Sequence, residues 1–191
     1  VIKPTLRFPF WLLAIGYWLL ALSSCKPKSD YTKAISRLDS AETVLVSAEK
    51  NLLSVDTSNL RASYNSSANN LHIIMGKLSQ DTVKKKTALF LTDAYELSGN
   101  ISNLLNNKKF MGRAISESRQ RISDLKHDLN ESLIEKNKSD EYIVHEINAS
   151  KKIYETVNKA IEKAKSSSGK LDSMKTQIAF FADSLNLRKT K

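Results

Sequence analysis

Residues 83–132 read VKKKTALFLTDAYELSGNISNLLNNKKFMGRAISESRQRISDLKHDLNES. Within them Val83, Thr87, Phe90, Ala94, Leu97, Ile101, Leu104, Lys108, Met111, Ile115, Ser118, Ile122, Leu125, Leu129 and Ser132 recur at alternating spacings of four and three residues. That is the heptad seam of helices packed along their length, and most of its sites are apolar. Downstream the pattern resumes with Ile143, Ile147, Tyr154, Val157, Ile161, Ala164, Leu171, Ile178, Ala182 and Leu185, interrupted by Ser150, Ser168 and Lys175. Upstream, Tyr31, Ile35, Leu38, Leu45 and Leu52 make one stripe, and Leu60, Tyr64, Leu71, Ile74 and Leu78 make another. The two meet out of register at Val55-Asp56-Thr57-Ser58-Asn59. At about 1.5 Å per residue, segments of this size are helices of roughly 75 Å.

Punctuation is scarce. Pro4, Pro9 and Pro27 are the only prolines, and the glycines after the leader are Gly76, Gly99, Gly112 and Gly169. Proline costs about 3 kcal/mol inside a helix, so its absence from Lys28 onward argues for long uninterrupted helices. The best turn signals are Ser79-Gln80-Asp81 and Lys138-Ser139-Asp140, each with an Asp at a candidate N-cap. The expected fold is therefore all-α, an elongated antiparallel three-helix coiled-coil bundle over 30–187. Its helices are expected at about 30–79 with a kink near 56, at 82–137 and at 140–187. The alternative is four helices with a break near 55–58. The kink is favoured because a full reversal there would leave half of the long hairpin without a third partner.

Ahead of the bundle, Lys3 and Arg7 precede an apolar run from Phe8 to Leu22, followed by Leu22-Ser23-Ser24-Cys25. This order of a basic region, an apolar core and small residues suits an export signal. The four residues resemble the lipobox of bacterial lipoproteins. The resemblance implies cleavage before Cys25, a diacylglycerol on its thiol and an N-acyl chain such as palmitate on its new amino terminus. Residues 1–24 are then a signal peptide, 25–29 a lipidated tether and 188–191 a basic tail. Lipid on Cys25 is the only attached group expected. The implied address is the bacterial cell envelope, anchored by lipid, at the outer membrane facing the periplasm or the cell surface. Cys25 is the single cysteine, so no intrachain disulfide can form.

The whole chain carries 30 Lys and Arg against 20 Asp and Glu, a net charge of +10. Removing the leader takes away Lys3 and Arg7 and no acids, leaving +8. Such a surface favours acidic surroundings. In an up-down-up bundle Lys84, Lys85 and Lys86 share one tip with Arg188, Lys189 and Lys191. The first three stand near a helix N-terminus, where each positive charge is unfavourable by roughly 0.3–1 kcal/mol, which marks them as candidate contacts for an acidic partner. Membrane lipid through Cys25, an envelope protein, an anionic glycan and a second copy of the chain are the partners considered, and nucleic acid is not expected in that compartment. Asp39-Ser40-Ala41, Asp81-Thr82-Val83, Asp172-Ser173-Met174 and Asp183-Ser184-Leu185 resemble the O-glycosylation acceptor sequences of Bacteroidota.

Catalytic signals are missing. His72, His127 and His145 lack the one-turn spacing that lets a helix grip a metal, and Ala149 stands where the zincin-like start His145-Glu146 needs its second histidine. There is no phosphate-cradling glycine loop and no nucleophile elbow. No catalytic residue, metal or dissociable cofactor is expected. The anticipated function is a non-catalytic spacer, scaffold or protein-interaction module. The alternatives are a self-assembling structural lipoprotein and a ligand-binding bundle with a cavity around Tyr64, Phe90, Tyr95, Phe180 and Phe181. Polar stretches at Asp56–Asn59, Asn106–Lys109 and Ser166–Gly169 should stand within about a turn of one height, as a hinge or a wet contact belt.

Overall fold

The computed structural model describes residues 31–78 and 84–187. These residues form four helices: α1 (Thr32–Leu53), α2 (Thr57–Leu78), α3 (Lys85–Asn130) and α4 (Lys136–Leu187). The lipobox with Cys25, the Ser79-Gln80-Asp81 turn and the basic tail with Arg188, Lys189 and Lys191 lie outside the described residues. The single first helix expected at about 30–79 with a kink near 56 is thus replaced by the alternative, four helices with a break near 55–58.

The break has a local cause. Ser54 closes α1, its N–H bonding Lys50 O, and its Oγ donates 2.8 Å to Asn51 O. Asp56 then opens α2. Its Oδ1 accepts the N–H groups of Ser58 at 3.0 Å and Asn59 at 3.1 Å, together with the Ser58 hydroxyl at 2.8 Å. These bonds satisfy donors that a helix start leaves without partners. The bond to the Asn59 N–H, then the Ser58 hydroxyl, holds the Asp56 carboxyl below its ordinary value of 3.8. Between the two helices Val55 points into the core at 5% exposure.

The chain does not reverse at this break. α1 and α2 each pack against α3 and against α4 but not against one another, so three helices surround the core on either side of it. Contacts along the bundle fix the directions. Tyr31 Oη donates to Ile134 O at 3.3 Å, Asn51 to Asn158 at 2.9 Å, Ser63 to Asp172 at 2.9 Å and Lys77 Nζ to Leu185 O at 3.5 Å, so α1 and α2 run parallel to α4. Glu49 meets Arg119, and Val55 O meets Lys108, so α3 runs the other way. At about 1.5 Å per residue, the 46 residues of α3 and 52 of α4 span roughly 70 and 80 Å.

One apolar cluster runs the length of this packing, with Leu38, Leu45, Ile74, Ile101, Leu104, Ile115, Ile122, Ile143, Leu171 and Ile178 fully buried. From Thr87 to Leu129 every seam position of the middle helix is buried or half-buried. The seam also buries serines: Ser63, Ser67, Ser98, Ser118, Ser150, Ser167 and Ser168. The hydroxyls of Ser67 and Ser118 have no hydrogen-bond partner.

The turn expected at Lys138-Ser139-Asp140 is also corrected. α3 stops at Asn130, and Ser132 adopts a left-handed φ of 56°. Leu133 N–H bonds Asp128 O at 2.8 Å and Ser132 N–H bonds Leu129 O at 3.2 Å, which is a Schellman closure with serine where glycine is usual. α4 is already running by Lys136, so Ser139 is buried inside its first turns and Asp140 caps nothing. Glycine is absent from the one described non-helical turn that could use it; no described glycine has a positive φ.

The three polar stretches do not coincide. Lys108 reaches Val55 O at 3.4 Å, which sets the first two level. Ser167 meets Asn100, so the third stands roughly 10 Å from the second at about 1.5 Å per residue, whereas Asn51 opposite Asn158 keeps it within about a turn of the first.

Two outcomes follow. Ser132→Gly should raise unfolding free energy in urea by roughly 0.5–1 kcal/mol, because a left-handed conformation strains any residue with a Cβ; Ser132→Val should lower it. The stability contributed by ionised Asp56 is present above its unfolded value of 3.8 and is lost as pH falls through its lower folded value. Melting temperatures of wild type and Asp56→Asn should therefore differ most at neutral pH and converge below about pH 4.

Candidate functional site

Among the described residues, no group of three or more His, Cys, Asp or Glu side chains is placed to hold a metal ion, and no helix is long and apolar enough to cross a membrane. The aromatics weighed as a single cavity divide instead. Phe90 and Phe181 pack with ring centroids 5.8 Å apart, and Phe180 lies 6.3 Å from Phe181 with 69% of its surface exposed. Tyr64 and Tyr95 line a separate recess of about 290 Å³ between α2 and α3, with His72 and Met75. Lys84, Lys85 and Lys86 are exposed at the start of α3, whose first turn has no acid and whose N-cap position, Lys84, makes no side-chain cap bond.

A groove of about 640 Å³ lies between α3 and α4. Asn103, Asn107, Phe110, Met111 and Ala114 form one wall, and Ala149, Lys152, Ile153, Thr156, Val157, Lys159, Ala160 and Lys163 form the other. No residue of α1 or α2 lines it, so it lies on the flank where the two long helices have no third neighbour.

Two polar contacts bound this flank. At one end Asn100 Nδ2 donates to Ser167 Oγ at 3.2 Å. At the other, Arg121 Nε donates to both carboxylate oxygens of Glu146, at 3.1 and 3.2 Å, and His145 Nδ1 lies 3.3 Å from the same carboxylate. The Glu146 side chain is only 9% exposed while that of Arg121 is 47% exposed, so the guanidinium partly covers a buried acid. Asn100, Asn107, Ala114 and Arg121 share a heptad position on α3, as do Glu146, Ile153, Ala160 and Ser167 on α4. The antiparallel register fixed by the two contacts therefore sets Asn107 opposite Ala160 and Ala114 opposite Ile153. Alanine at Ala114 and Ala160 leaves unfilled the space that larger flanking side chains would occupy, and Phe110, 67% exposed, stands at its edge.

Charge around the groove is one-sided. Lys152, Lys159 and Lys163 line its α4 wall, and none makes a hydrogen bond or ion pair with another described residue. Basic side chains on the α1 flank behave differently. Lys126 Nζ lies 2.7 Å from both Asp39 and Glu42, and Arg119 lies 2.9 Å from Glu49 and 3.9 Å from Glu42. Hydrogen bonds to Asp39, then Glu42, push the Lys126 ammonium above its ordinary value. Composition alone did not distinguish these internally paired cations from the unpaired row, because the distinction needs the register.

The serines of three acceptor-like motifs sit in regular helix. Ser40, Ser173 and Ser184 each bond a carbonyl three or four residues earlier.

Arg121→Met should cost about 1–2 kcal/mol in chemical denaturation, since it strips the buried Glu146 carboxylate of its two-pronged partner and leaves His145 alone beside it. Adding Glu146→Leu should recover most of that loss, and a double mutant no more stable than Arg121→Met would contradict this account of the pair.

No family of known proteins, no curated protein and no solved structure matches this chain.

Proposed function

We propose that the protein is a lipid-anchored envelope protein whose helical bundle is a non-catalytic spacer and protein-interaction module. The observation that carries this is the packing of α1 and α2, in line, against both long helices from Tyr31 to the far end at Leu185. Tyr31, six residues beyond Cys25, lies at the α3–α4 turn. Lipid on Cys25 would therefore hold that turn at the membrane and project the opposite end roughly 70–80 Å away. Two acyl chains or more, at about 0.8 kcal/mol per buried methylene, make such an attachment stable.

The lysines at Lys84, Lys85 and Lys86 stand at the distal end in this arrangement, where they suit an anionic glycan or an envelope protein. Arg188, Lys189 and Lys191 follow α4 in sequence. The groove between α3 and α4 opens sideways, midway along the bundle, and supplies the interaction surface. The groove is open along one side, which suits docking of a partner. The outer membrane, facing the periplasm or the cell surface, is the location most consistent with the lipobox-like sequence.

Full-length protein expressed in a bacterial host should lose residues 1–24 and carry a lipid-sized mass increase on Cys25 by mass spectrometry. Cys25→Ala should move it out of the membrane fraction. Retention of the unprocessed leader together with membrane binding by Cys25→Ala would replace the lipid anchor with an uncleaved apolar one.

A further inference from the structure

The α3/α4 groove is bounded, apolar in its floor and cationic along one wall, and those features constrain what covers it. Building on the interaction-module reading above, we propose that it docks one acidic amphipathic helix of a partner protein. That helix lies along the groove as a fourth helix, with carboxylates facing Lys152, Lys159 and Lys163.

Length supports a helix. From Asn100 to Arg121, and equally from Glu146 to Ser167, the flank between the two polar contacts covers about 20 residues, or roughly 30 Å, which matches a helix of about 20 residues. The floor suits one as well. Ala114 and Ala160 make depressions, while Ile153 and Phe110 offer apolar surface around them, so a row of partner side chains at helical spacing has places to insert.

Charge selects the occupant. The three lysines follow one wall at intervals of seven and four residues, a row of roughly 16 Å. Lys159 and Lys163, one turn apart, repel one another, and neither is held in an ion pair by Glu155 or Glu162, so a carboxylate brought to the groove adds a direct partner. Successive carboxylates along a helix answer a row of this length. An anionic lipid headgroup concentrates its charge at one point, and its tail gains less from a groove open along one side. A second copy of this net-positive chain would bring another unpaired lysine row to the surface and increase the repulsion.

A fluorescent synthetic helix of about 20 residues, with a leucine and alanine face flanked by glutamates spaced to meet the lysines, provides the probe. Titrated with the full chain in uncharged detergent micelles, it should bind saturably, while the same helix with lysine in place of glutamate should not. The triple variant Lys152→Gln, Lys159→Gln, Lys163→Gln should weaken binding about tenfold. Ala160→Trp, which fills the groove and keeps the lysines, should abolish it, with circular dichroism confirming that both variants remain helical. No binding by wild type, or equal binding by either variant, overturns the proposal. Displacement of the helix by phosphatidylglycerol in the micelles assigns the groove to lipid. A wild-type dimer in sedimentation that Ala160→Trp dissolves assigns it to a second copy. None of these readouts depends on lipidation of Cys25, so failure here is separable from failure of the anchor.

Discussion

Every apolar stripe of the described helices finds a partner because α1 and α2 stay in line across Ser54–Asp56. At that point the backbone must end one helix, start another and keep facing the same two neighbours. Three side chains accomplish this together. Val55 holds the connection against the core, Asp56 supplies the acceptors that a helix start needs, and Lys108 crosses from α3 to Val55 O at 3.4 Å. A cation is suited to that place, since the carbonyl end of α1 carries partial negative charge. Lys108 is thus a polar residue in an apolar seam with an identifiable structural role. A reversal at the same place would have packed α1 on α2 and left part of the long hairpin uncovered, exposing apolar surface at about 25 cal/mol per Å².

The two halves of the bundle are held differently. Around α1 the core is Leu38, Leu45 and Leu52, and the flank toward α3 carries the ion pairs of Lys126 and Arg119 with Asp39, Glu42 and Glu49. Around α2, which contains no acid, Ser63, Ser67, Ser98, Ser167 and Ser168 replace part of the apolar seam. Some are bonded, as Ser63 is to Asp172, but the Ser67 hydroxyl has no partner. A buried hydroxyl left unpaired costs about 1–3 kcal/mol, and Ser118 imposes the same cost in the α1 half, so the two halves differ in their ion pairs and in how much apolar seam they keep rather than in this cost. The polar belt expected at one height is spread between the break and this serine-rich section.

How much was legible in the sequence varies along the chain. The seam of α3 was readable because nearly every position from Thr87 to Leu129 is apolar and the spacing never slips. The break in register at Val55–Asn59 was also visible, but such a break says that a helix can end and restart and not in which direction it leaves. That choice depends on burial tens of residues away. The turn after α3 was misplaced because its true stop is a left-handed serine, with no glycine or proline to announce it, while Asp140 imitated a cap within a helix already under way.

That displacement of the turn explains why the groove escaped notice. A reversal centred on Ser139 would have set Ala114 against Ala164, a core position, and no flanking cavity would have been inferred. The actual closure at Ser132 shifts the register by several residues and sets Ala114 against Ile153 and Ala160 against Asn107. The alanines were always in view, but alanine on a helix flank means nothing until its opposite number is known. Lys152, Lys159 and Lys163 were likewise part of an undifferentiated positive surface. Once the register is fixed they become a single row on a flank that no other described helix covers, while Lys126 and Arg119 face acids on α1. Net charge therefore understated the organisation of this surface, because the same composition divides into cations consumed within the fold and cations left facing outward.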